Sequence, residues 1–220
     1  MKYQELEQHL FSISDQKFAS FSKTLSNSDY ISIGVKNPVL RQIIKEHIKD
    51  EELKLDDFKL GKYLEVDFIY FGLALSRLKN IDAQLEFLKE KVKLAKSWAI
   101  TDTLGTYIKK HPFEKYFEFF LSLCNSPFTY DRRMAYILCL KHYRDKEILK
   151  TLNYIKPNEE YMVMMAEAWL MATIAIDYED EIYNYLYNCH DMVLKRKTIS
   201  KICDSFRFNE NSKNRFKSLR

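Results

Sequence analysis

Apolar residues recur at i, i+3, i+4 and i+7 along nearly the whole chain, the spacing of amphipathic helices. Only four glycines and four prolines interrupt 220 residues, too few for the turns of an all-β fold or the Gly-rich loops of a nucleotide-binding α/β fold. The pattern predicts helices near 3–12, 15–26, 37–49, 64–79, 81–95, 99–110, 113–124, 128–143, 145–155, 158–176, 178–188, 191–205 and 209–218. The scarce prolines fall at their ends. Asn37-Pro38 opens a helix with Pro in the first turn, after the extended Ile33-Gly34-Val35. His111-Pro112, Ser126-Pro127 and Pro157-Asn158 break others, because the residue before Pro is pushed out of the α region, and Asn209 suits an N-cap.

Short polar connections between such helices require antiparallel neighbours. Pair boundaries near 64, 99, 128, 158 and 191 lie roughly 30–35 residues apart, the period of two-helix repeats. The expected fold is all-α, a right-handed solenoid of antiparallel helix pairs of HEAT-like type, in one domain spanning 1–220. A stack of this kind presents a concave groove lined by one helix of each pair.

No apolar run reaches the roughly 20 residues of a membrane span, and the charged N-terminus lacks the apolar core of a signal peptide, so a cytoplasmic protein is expected. Cys124, Cys139, Cys189 and Cys203 are far apart without metal-ligand spacing and read as reduced core thiols. Net charge is +4, and residues 191–220 hold nine basic side chains against Asp191, Asp204 and Glu210. Such a bias suits either a polyanion or a solvated helix face.

The sequence contains no P-loop, GxSxG, HExxH or GxGxxG motif, and its five histidines do not cluster. The two tryptophans are the informative residues. Trp98 and Asp102 are four apart at a predicted helix start, which puts indole and carboxylate on one face. Trp169 lies in the least polar helix, and Arg132 and Arg133 stand in the first turn of the helix between. All occupy comparable places in successive pairs, so a shared groove is one reading. The plainer alternative makes the tryptophans core residues, Asp102 a cap or surface carboxylate, and the arginines a solvated pair. Glu65 and Glu167, within apolar segments, suit inward-facing polar groups or, more simply, ion pairs.

At these residues the chain resembles the AlkD-type DNA alkylation repair proteins, HEAT-like repeat DNA glycosylases. Ile33-Gly34-Val35-Lys36-Asn37-Pro38-Val39-Leu40-Arg41 is similar to the family's early Gly-x-x-x-Pro-x-x-Arg element. Trp98-Ala99-Ile100-Thr101-Asp102 matches its Trp-x-x-x-Asp motif. Arg133-Met134-Ala135 and Ala166-Glu167-Ala168-Trp169 match a helix-opening Arg and the second Trp. The resemblance implies excision of cationic N3- or N7-alkylpurines from duplex DNA by a monomer, without metal or cofactor. It implies Asp102 as the catalytic carboxylate, Trp98 and Trp169 as lesion and sugar contacts, and Arg133 with Arg132 on the DNA backbone. Around the second Trp, where the family carries basic residues, this chain has Met164, Met165, Met171 and Ala172. A catalytically inactive repeat scaffold, binding a protein segment or another nucleic acid, is the alternative the same residues allow.

Overall fold

The computed structural model of the chain describes residues 1–26, 28–157 and 159–220. It is all-α, and its regular structure falls into two compact units, Met1–Lys110 and His111–Arg220. The sequence marks no cut, but the division coincides with the His111-Pro112 break. Unit 1 holds α1 (Tyr3–Ser12), α2 (Gln16–Ser26), α3 (Asn37–His47), α4 (Leu64–Arg77), α5 (Ile81–Lys91) and α6 (Trp98–Tyr107). Unit 2 holds α7 (Phe113–Leu123), α8 (Thr129–Cys139), α9 (Tyr161–Ile174), α10 (Glu179–Tyr187), α11 (Met192–Asp204) and α12 (Glu210–Lys217).

The helix starts follow the sequence punctuation. Pro38 sits in the first turn of α3, and Asn209 caps α12 by accepting from the Ser212 N–H at 2.9 Å. Two expectations change. The segment expected as an α-helix near 145–155 is a 3₁₀ helix, Lys146–Tyr154, capped by Asp145. Its backbone is turned at the start by Ile148, whose N–H donates to the Asp145 carbonyl three residues earlier at 3.0 Å. The helix expected from 158 begins at Tyr161, and Asn158 itself lies outside the described residues.

In unit 1, α4 is buried from Leu64 through Leu75, on every face, and packs against α3 and α6. Gly72 permits the close approach, since a Cβ there would stand 2.4 Å from Ile44 Cδ1. Buried Gln84 ties the helix ends together. It donates to the carbonyls of Leu75 (2.6 Å) and Tyr107 (3.0 Å) and accepts from the Lys109 N–H at 2.9 Å. Arg77 donates to four carbonyls, those of His47, Ile48, Asp50 and Leu53, and so satisfies the chain leaving α3.

In unit 2, α9 is apolar all round and lies between α8 and α11, while α7 covers α8 with Phe113, Tyr116, Phe119 and Phe120. The helices α8, α9 and α11 are the first members of successive pairs, and they form a side-by-side row. In unit 1, α4 and α6 are related in the same way. Trp98, Asp102, Arg132, Arg133 and Trp169 all lie on these row helices. No helix among the described residues is long and apolar enough to cross a membrane. Cys124 and Cys139 are buried, Cys189 and Cys203 half-buried, and all four are free.

Candidate nucleic-acid interface

In unit 1 the site begins at the cap of α6. The fully buried Ser97 accepts from the Ala99 N–H at 3.3 Å and fixes the first turn, so Trp98 and Asp102 emerge one turn apart on the same side. Both are half-buried, so Trp98 is not sealed in the core. Its indole N–H donates to the Leu25 carbonyl at 3.0 Å, which ties the ring to the end of α2. The Thr101 hydroxyl lies 3.2 Å from both the Trp98 carbonyl and Asp102 Oδ1 and holds the carboxylate beside the tryptophan turn. Elsewhere in unit 1, Arg41 and Lys45 line an open cleft of about 430 Å³ along exposed α3 with Asn37, Pro38 and Gln42.

The early Gly-containing element has a structural function. Gly34 adopts φ +98°, and a Cβ there would stand 2.2 Å from the Asp15 carbonyl oxygen. Asp15 donates its N–H to the Gly34 carbonyl at 3.1 Å and caps α2 through its side chain. Buried Glu65 accepts from the N–H groups of Ile33 (2.9 Å), Gly34 (2.9 Å) and Val35 (3.3 Å) and from Ser32 Oγ (2.8 Å). An ion pair was the simpler expectation for Glu65. A cradle of backbone donors takes the place of a cation.

Unit 2 separates its sequence candidates. Arg132 and Arg133 are not a solvated pair, being 8% and 6% exposed. Arg132 forks onto Glu159, with Nε and Nη2 at 3.0 and 3.2 Å, and donates to the Ser126 carbonyl at 2.8 Å. Arg133 donates to the Met162 carbonyl at 2.5 Å, in the first turn of α9. Both guanidiniums join α8 to the segment that opens α9. Trp169 is 40% exposed, so the core alternative fails for it too.

The cations that line the cleft of Trp169 come from α11 and the turn after it. Lys201 Nζ lies 5.6 Å from the Trp169 ring centre and Lys197 Nζ lies 5.7 Å from that of Tyr161, eight residues earlier on α9. Arg144 and Arg207 approach Tyr143 at 5.4 and 5.8 Å. Trp169, Tyr143, Lys201, Asp204 and Arg207 line an open cleft of about 490 Å³. The missing basic neighbours of Trp169 on α9 are therefore matched by cations from a helix some thirty residues later. The basic bias of 191–220 was their only signal in the sequence, and it did not say which aromatic they would meet.

Glu167, two residues before Trp169, turns into the core instead. It is fully buried, and neither carboxylate oxygen has a hydrogen-bond partner among the described residues. Burial pushes its carboxyl up to about 7. Nearby Tyr136 donates its hydroxyl to the Tyr154 carbonyl at 2.9 Å. Among the described residues no ion pair meets Glu167 either, against the simpler expectation. In unit 1, buried Asp67 is raised to about 6, chiefly by burial, although it accepts from the Gly61 N–H at 3.0 Å and lies 2.6 Å from the Tyr30 hydroxyl. Among the described residues no cluster of three or more His, Cys, Asp or Glu side chains is arranged to hold a metal ion.

The family model for DNA alkylation repair enzymes matches residues 6–202, and the chain belongs to that family. Among solved structures it is similar to a predicted DNA alkylation repair enzyme from Enterococcus faecalis, with a TM-score of 0.66 and 13% identity over 87% of this chain and 98% of that one. At that identity the likeness speaks for the fold alone. No curated protein matches the chain.

Proposed function

We propose that this chain is a DNA glycosylase that excises cationic N3- or N7-alkylpurines from duplex DNA. The observation that carries the reading is the Trp98–Asp102 pair at the start of α6, half-buried and fixed by Ser97, Thr101 and the Leu25 carbonyl.

An alkylated purine is already a cation, so it leaves as a neutral base once the bond from its nitrogen to C1′ breaks. The electron pair of that bond goes to the base, and positive charge develops on the sugar. Asp102 supplies a fixed negative charge beside that sugar and accepts a proton from the water that attacks C1′. Such preorganised electrostatic stabilisation is worth about 100- to 1,000-fold in rate. The Trp98 ring provides an aromatic face for the cationic base or the sugar.

Phosphate contacts are assigned to the half-buried Lys197 and Lys201 and the exposed Arg207 in unit 2, and to the exposed Arg41 and Lys45 in unit 1. Arg132 and Arg133 are assigned to the fold of unit 2, because both are buried, Arg132 on Glu159 and the Ser126 carbonyl and Arg133 on the Met162 carbonyl. Trp169 differs from Trp98 in that Lys201 already stands over its ring. A second cation there is repelled, which suits Trp169 to the neutral deoxyribose beside a phosphate rather than to the alkylated base.

Release of 3-methyladenine or 7-methylguanine from methylated duplex DNA tests the reading. Release by the wild-type chain supports it. Duplex binding without release, at protein in excess over lesion, favours the non-catalytic alternative.

A further inference from the structure

The turn that joins α11 to α12 carries the most exposed large apolar side chain of the molecule, Phe206, at 102%. The turn is fixed on both sides. Ser205 donates its N–H to the Ile202 carbonyl at 3.2 Å, and Arg207 donates its N–H to Ser205 Oγ at 3.2 Å. Two residues further, Phe208 is buried against Phe216, with ring centres 6.4 Å apart, and Asn209 caps α12. Phe206 is therefore held out in water by an anchored backbone.

A single exposed phenylalanine is ordinary on a protein surface. Its margins distinguish this one. The residues on either side of it, Ser205 and Arg207, line the cleft that holds Trp169, Tyr143 and Lys201. Cations from α11 and the turn lie over the aromatic rings there, and Asp204 lines the cleft beside them. An apolar plate bordered by cations complements a nucleobase bordered by phosphates.

We propose that Phe206 is a stacking wedge that inserts against an unpaired or weakly stacked base position in bound DNA, while Lys201 and Arg207 meet the flanking phosphates. The proposal rests on the reading of the chain as DNA-binding. Stacking of a base on an aromatic ring needs no sequence readout, and inserted phenylalanines unstack base steps most cheaply where the stack is already interrupted. A duplex carrying an abasic position offers that interruption, and it is also what base excision leaves behind.

Fluorescence anisotropy of the full chain on two labelled duplexes, one fully paired and one with a central tetrahydrofuran abasic analogue, tests the wedge. The wild type binds the abasic duplex more tightly than the paired one. Phe206→Ala weakens binding to the abasic duplex by about 5- to 150-fold, the range for one aromatic–base stack, and abolishes the preference. Its salt dependence stays that of the wild type, and Phe206→Tyr restores the preference. Lys201→Ala instead lowers the salt slope on both duplexes.

Equal binding of the two duplexes by wild type and Phe206→Ala, with a steep salt slope, overturns the wedge and leaves the DNA reading standing. Absence of any duplex binding by the wild type overturns the DNA reading itself. Loss of binding to phosphatidylserine vesicles in Phe206→Ala, with DNA binding unchanged, overturns the wedge in favour of a membrane contact.

Discussion

Glu167 gives the sharpest energetic prediction, because its burial is complete and its carboxylate oxygens have no partner among the described residues. Its carboxyl is raised from 4.5 to about 7 by removal from water. At about 1.4 kcal/mol per pK unit, ionising it in the folded chain costs about 3 kcal/mol relative to the unfolded chain. The sign follows from the order of the two values. Below the unfolded value both states hold the proton, and no penalty exists. Between about 4.5 and 7 only the unfolded state releases it, so folding loses stability as pH rises; above 7 the loss is complete. Glu167→Gln has nearly the same volume and no titration. Urea unfolding at a series of pH values, followed by circular dichroism, gives the unfolding free energy of each protein. The variant's stability relative to wild type rises by about 3 kcal/mol between pH 4 and pH 8, on top of a constant offset for the unpaired amide. A difference that stays flat across this range would show that Glu167 titrates alike in the folded and unfolded chain, and would refute the desolvation argument.

Three further outcomes follow from the same contacts. Gly34→Ala forces a Cβ to within 2.2 Å of the Asp15 carbonyl oxygen at φ +98°; thermal unfolding shows a loss of about 2 kcal/mol or more, and proteolysis between Ser14 and Ile33 accelerates as α2 loosens. Arg132→Ala leaves Glu159 without its fork and costs about 3 kcal/mol of stability, while the salt slope of duplex binding is unchanged; a flatter slope would return Arg132 to the DNA backbone. Lys201→Ala leaves stability within about 0.5 kcal/mol and lowers the slope of log K against log salt by about 0.9.

The helices were legible because their signals are local. Pro38, Pro112 and Asn209 act within one turn of their own positions, and the apolar period marks α3, α7 and α8 without reference to any neighbour. Burial of whole helices was also readable, since α9 carries almost no polar residue. What stayed hidden depends on tertiary contacts. The sequence allows Glu65 to face inward, but its partners are backbone N–H groups of Ile33, Gly34 and Val35, which have no residue signature. Arg132 and Arg133 look solvated beside Thr129 and Tyr130 until Glu159 and the Met162 carbonyl are brought to them. Likewise, Met171 and Ala172 leave Trp169 without a cation along its own helix. Lys201 supplies one only because α11 packs against α9. Phe206 carried no signal at all, since a phenylalanine near a helix end more often belongs to the core, as Phe208 does.

The central claim is that Asp102 stabilises the sugar cation formed as an alkylpurine leaves. Single-turnover release of 7-methylguanine from methylated duplex DNA, measured beside duplex affinity for wild type and Asp102→Asn, tests it most directly. The account predicts release by the wild type, duplex affinity unchanged within about twofold in the variant, and a rate about 100- to 1,000-fold lower. Equal rates of release from the two proteins would contradict it, whatever their affinities.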